Sequence, residues 1–160
     1  MDPAWLIGGL GLAITALLGY TAWQDWQHRR IPNAACLAIL LLALVEAALA
    51  QRLIGSAIAG LAVLLLGMLA WQARIVGGGD AKLLAAVALW AGPHRLVALL
   101  GAMALIGGGL ALLALWQLGR TRTATGPMGP AGPVAGSAGV PYGVAIAGGA
   151  VWVWLVTTFA

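Results

Sequence analysis

Four acidic side chains, Asp2, Asp25, Glu46 and Asp80, stand in a chain of 160 residues that is 62% hydrophobic and 8% charged. A carboxylate at the bilayer centre costs about 2.5 to 3.5 kcal/mol on insertion scales, so acids within or beside apolar segments tend to be paired, solvated or put to use. Two carboxylates brought close together can divide labour, one ionised to activate water and one protonated to polarise a carbonyl, or they can pass protons. Asp25 and Asp80 are the candidates for such chemistry. Asp2 is terminal and expected to be exposed, whereas Glu46 is expected to be solvated or paired with Arg52.

Asp25 opens the segment Asp25-Trp26-Gln27-His28-Arg29-Arg30-Ile31-Pro32-Asn33, a turn between two apolar runs with Pro32 suited to the first turn of the next helix. Taken alone, the segment favours a plain reading in which Asp25 balances Arg29 or Arg30 at the membrane surface. Asp80 ends the run Gly77-Gly78-Gly79-Asp80-Ala81-Lys82, whose glycines permit backbone conformations and close approach that a Cβ resists. There the plain reading is a helix cap, and the positive helix end favours the ionised carboxylate. The run lacks the Gly-x-x-x-x-Gly-Lys-Ser/Thr spacing of a phosphate-binding loop. His28 beside two arginines reads as a topology or packing residue, and His94 is expected across the membrane. The single cysteine, Cys36, can form neither an internal disulfide nor a zinc cluster and is expected to pack.

These residues need elements to hold them, and the composition allows only one kind. An ordinary soluble domain has about 25% charged residues, which this chain does not approach. With 24 glycines and eight tryptophans and no strand alternation, it is expected to be an all-α, polytopic membrane protein, a single membrane-embedded domain over residues 1–160. Apolar runs at 4–23, 33–50, 53–73, 96–118 and 140–160 approach or exceed the roughly 20 residues a crossing helix needs, and a shorter run at 81–92 is counted as a sixth span. Six transmembrane helices place Arg29, Arg30, Arg74, Lys82, Arg120 and Arg122 on one side, which the positive-inside bias makes cytoplasmic, with both termini outside. Trp23, Trp26, Trp71 and Trp116 then form an inner interfacial belt, and Trp5, Trp90, Trp152 and Trp154 an outer one. Residues 119–139, rich in Gly, Pro, Ser and Thr, are expected to be a flexible cytoplasmic loop. The Met1-Asp2-Pro3 start lacks the basic region of a signal peptide. Although the formal charge is +4, the basic residues sit in short gaps between spans, which speaks against nucleic-acid binding.

Three motifs together resemble the short prepilin peptidases, membrane aspartic peptidases marked by Gly-x-Gly-Asp, especially the type serving tight-adherence (Flp) pili. Asp25 ahead of Ile31-Pro32-Asn33 looks like the first aspartate motif, and Gly77-Gly78-Gly79-Asp80-Ala81-Lys82 looks like the second. Pro141-Tyr142-Gly143-Val144-Ala145-Ile146-Ala147 is similar to the start of the family's last span. The resemblance implies that Asp25 and Asp80 are catalytic, that Gly77, Gly78, Gly79, Lys82, Pro32 and Asn33 shape the site or bind substrate, and that neither a metal nor an organic cofactor is used.

The implied substrates are prepilins or pseudopilins, cut in the cytoplasmic (inner) membrane with the active site facing the cytoplasm, between a short basic leader and an apolar helix. Pilus assembly or secretion machinery is then an indirect partner, and the lipid bilayer a direct one. A negative field at the aspartates is expected to attract the leader, and Gly-rich packing beside them to open a lateral path for the substrate helix. Larger relatives also N-methylate the new amino terminus with an added cytoplasmic region; this chain lacks such a region, so methyltransferase activity is not expected. Two other classes compete: a small proton- or cation-coupled transporter, which needs polar groups at intermediate depth, and a non-catalytic subunit of a pilus or secretion machine, which tolerates loss of both aspartates.

Overall fold

The computed structural model describes residues 3–121 and 142–159, and among these every regular element is an α-helix. The helices are α1 (Pro3–His28), α2 (Asn33–Leu49), α3 (Leu53–Gln72), α4 (Gly78–Thr121) and α5 (Tyr142–Phe159). Helices are what an apolar chain must form in lipid, because each backbone N–H and C=O then finds its partner within the segment. Trp5–His28, Leu53–Gln72 and Gly78–Leu113 are long and apolar enough to cross a membrane, while Asn33–Leu49 and Tyr142–Val156 are apolar but shorter. Large side chains such as Val97, Leu105 and Ile54 are about as exposed as a residue can be in a helix, at 81%, 79% and 79%. That surface suits hydrocarbon rather than water, and the protein is an all-helical membrane protein.

The helix ends are built from local chemistry. α2 and α3 both close in Schellman motifs: Gln51 (φ 54°) and Arg74 (φ 58°) take the left-handed position, Arg52 N–H donates to the Ala47 carbonyl at 2.9 Å, and Ile75 N–H to that of Ala70 at 2.9 Å. Pro32 is the residue before α2, with an extended ψ of 127°, and its carbonyl accepts from the amides of Ala35 and Cys36. α1 runs five residues past the apolar run that marks it in the sequence, so Asp25 lies inside the helix and not in the turn after it. α4 likewise continues to Thr121, through the first residues of the expected loop; residues 122–139, like Asp2, Arg122 and Pro141, lie outside the described residues.

α4 is broken at Gly92, whose φ of 69° and ψ of 175° are open only to glycine, and Pro93 follows with no N–H to continue the ladder. The segment before the break packs antiparallel on α3, Ala81 against Gly67 and Leu89 against Gly60. The segment after it packs along α5, Met103 against Gly149 and Gly107 against Ala145. That register carries the chain back toward the end of the molecule where α5 begins. The break falls at the boundary that the sequence predicts between its fourth and fifth spans.

At the end of the fold around Gly92, Glu46 is buried and is held by Arg52, Nη2 to Oε1 at 2.8 Å, and by the indole N–H of Trp90. Arg52 Nη1 also donates to the Trp90 carbonyl at 2.9 Å, capping a backbone group close to the helix break, and to Ser56 Oγ at 3.0 Å. The expected pairing of Glu46 with Arg52 is present. Trp90, however, is only 4% exposed and belongs to the core, not to an interfacial belt, because its indole N–H is committed to Glu46. Trp5, Trp23, Trp26, Trp71, Trp116 and Trp152 are all exposed.

Candidate active site

Asp25 occupies the last turn of α1, a place where the helix dipole disfavours an acid. It is nonetheless buried, at 7% exposure, and a second helix offsets the position: the backbone N–H of Gly143, in the first turn of α5, donates to Asp25 Oδ2 at 2.9 Å. A Cβ at Gly143 would stand 2.8 Å from Asp25 Oδ2 and 3.0 Å from its Cβ, so only glycine lets the helix start approach the carboxylate. Among the described residues Asp25 forms no ion pair with Arg29 or Arg30, contrary to the plain reading of its segment.

Asp80 is the third residue of α4. The first helical bond runs from the Ala81 amide to the Gly77 carbonyl at 3.0 Å, which makes Gly77 the capping residue, and the Asp80 carboxylate turns back toward it. A Cβ on Gly77 would lie 2.8 Å from Asp80 Oδ2. Close approach, then, is what the glycine supplies; among the described residues only Gly92 is a glycine with positive φ. The helix-start argument that favours ionised Asp80 now applies to Asp25 as well, since Asp25 accepts an amide in the first turn of α5, and it no longer separates the two.

Both aspartates line one open cavity of about 840 Å3 and are near enough for the charge of Asp25 to act on Asp80. Gly77, Gly78, Gly79, Lys82 and Asn33 line it as well, with Leu64, Met68 and Trp71 of α3 as its apolar wall. Lys82 Nζ donates to Asn33 Oδ1 at 3.2 Å, tying α4 to α2 at the rim. Pro32 does not face this cavity; it sets the start of α2 and so places Asn33. His28 lines a neighbouring depression with Gln24, Arg30 and Pro32, and His94 sits with Arg52 and Arg95 near Gly92, so neither joins the aspartates.

The expected negative field is not what the lining carries. Arg29, Arg30 and Lys82 stand beside the two acids, three formal cations against at most two anions. Gly143 is the site residue that reading the sequence did not single out. It is 118 positions from Asp25, and its only signal was its place in the Pro141-Tyr142-Gly143 motif.

Two carboxylates on one water-accessible cavity can exchange protons with a bound water or carbonyl. Searches of curated proteins and of solved structures gave no match to the chain. The stretch from residue 12 to residue 112, more than half of the chain and inclusive of both aspartates, matches the type IV leader peptidase family, and the protein belongs to that family of peptidases.

Proposed function

We propose that the protein is an aspartic endopeptidase that removes the short basic leader from prepilins or pseudopilins at the cytoplasmic face of the inner membrane. The observation that carries this reading is the meeting of Asp25 and Asp80 on one cavity, reached from distant parts of the chain. The ionised carboxylate takes a proton from a water molecule, whose oxygen attacks the scissile carbonyl. The protonated partner donates its proton to the carbonyl oxygen; as the C–N bond breaks, the aspartate that took water's proton gives it to the departing amine, and the partner recovers its own from the collapsing diol. Each carboxyl thus ends in the state in which it began, and no other group is required.

The chain crosses the membrane six times in this reading, with the turn at Gly92 between the fourth and fifth crossings and both termini outside. The bias of Lys and Arg supports the aspartates' facing the cytoplasm, where a basic leader resides. Cleavage alone is the expected activity, without N-methylation. The transporter reading gains nothing from Glu46, the one acid at intermediate depth, because Arg52 and Trp90 already occupy it.

Co-expression with a tagged prepilin tests the proposal. The expected product is a prepilin shortened by one cut between its basic leader and its apolar segment, identified by mass spectrometry of the new amino terminus. A prepilin that stays full length beside well-expressed protein removes the proposal.

A further inference from the structure

A second cavity, of about 490 Å3, adjoins the one that holds the aspartates. It lies between α2 and α3, which of the helix pairs that touch have the least mutual contact, and α4 completes its lining. Asn33, Leu64 and Lys82 line both cavities, so the two are one continuous depression. From that junction the lining runs in step along three helices: residues 33 to 40 of α2, 64 back to 57 of α3 and 82 to 89 of α4. At about 1.5 Å per residue, each stretch spans roughly 10 Å, or two helical turns.

Beyond the junction no lining residue is charged. The floor is made of small residues, Ala57 and Gly60 of α3 and Ala85 of α4, and at Gly60 the two helices press together: a Cβ there would lie 2.8 Å from Leu89 Cβ. The walls include Leu37 and Leu61, 55% and 56% exposed, so the groove opens sideways toward lipid. Gly78 and Gly79 are instead covered by Trp71 and Ile31, so the opening toward lipid lies between α2 and α3 and not beside the glycine run.

We propose that this groove docks one face of the first two helical turns of the substrate's apolar segment, with Asn33 and Lys82 marking where the chain leaves it for the aspartates. The proposal rests on the peptidase reading above. Its ground for a substrate helix, and not a lipid chain or a second copy, is the continuity with the aspartate cavity: a helix seated here delivers its amino-terminal end to Asp25 and Asp80. Recognition is then by apolar side chains at helical spacing, small enough or flexible enough to lie over Ala57 and Gly60.

The test is photo-crosslinking in membranes that contain the full-length Asp25→Asn protein and a tagged prepilin, with a photoreactive residue replacing either Leu61 or Leu66. Leu66 is 65% exposed and lines neither cavity. The expected result is a prepilin adduct from position 61 and none above background from position 66. Ala57→Trp, which fills the floor, is expected to abolish the adduct, and Ala57→Ser to retain it. Leader cleavage by the protein with native aspartates is followed in parallel. Cleavage with equal adducts from both positions, or with adducts to lipid or to a second copy alone, overturns the groove and leaves the peptidase reading standing. An uncut prepilin removes the peptidase reading and this proposal with it.

Discussion

Asp25 and Asp80 each sit against the start of a helix with a glycine close beside the carboxylate, and Asp25 accepts a backbone amide there. For Asp25 that amide arrives on α5 and depends on the absence of a side chain at Gly143. Gly143→Ala is therefore expected to lower the rate of leader removal on the order of 100-fold, the scale of an ~1 Å misplacement in a catalytic constellation. Gly9→Ala, where nothing lies within 4 Å, is expected to leave the rate unchanged. Initial rates measured on gels for the two variants check this pair. The aspartates were legible in the sequence because acids are so scarce and because each sits in a recognisable motif. Gly143 was visible only as a member of the last motif, since its role is a contact across 118 positions. The mixed charge of the cavity was also hidden, because Arg29 and Arg30 follow Asp25 in sequence and yet line the same cavity without neutralising it as an ion pair.

At the scale of elements, the break at Gly92 and the polar cluster that braces it decide how α4 is laid down. Glu46→Ala leaves the Arg52 guanidinium and the Trp90 indole without their carboxylate, and is expected to cost on the order of 3 kcal/mol. The measurement is thermal unfolding in detergent, where the midpoint falls while the protein that remains folded still cleaves. Gln51 ends α2 in the left-handed region, which costs a residue with a Cβ about 1 kcal/mol. Gln51→Gly should raise the unfolding midpoint, and Gln51→Val should lower it. The end of the short apolar run at residue 92 announced the break in the sequence, and the nearness of Arg52 to Glu46 announced the ion pair. Helix ends were less legible: hydropathy stops at residue 23, but Gln24 to His28 are compatible with helix and continue α1 in the aqueous edge, which is how Asp25 comes to be buried.

Across the whole molecule, the antiparallel registers of α1 on α5, of α3 on the first part of α4 and of α5 on its second part gather the aspartate-bearing ends at one end of the bundle. The proposed six-crossing arrangement would put that end in the cytoplasm. In a Cys36→Ala background, a cysteine replacing His94 is expected to react with a membrane-impermeant maleimide in intact cells, and one replacing Arg29 only after the cells are broken. Charge bias is the ground for this arrangement in the sequence, whereas the cavity itself depends on which helices leave a gap, and apolar sequences of similar composition carry no mark of that. What the whole fold accomplishes is to make one site from two distant aspartates, and the most direct measurement is leader cleavage by wild type, Asp25→Asn, Asp80→Asn and the double variant, all purified at equal folded amounts. The account predicts that each single variant falls to background and that the double is no worse, as expected of groups that act as a unit. Processing at the wild-type rate by either stable single variant would contradict it.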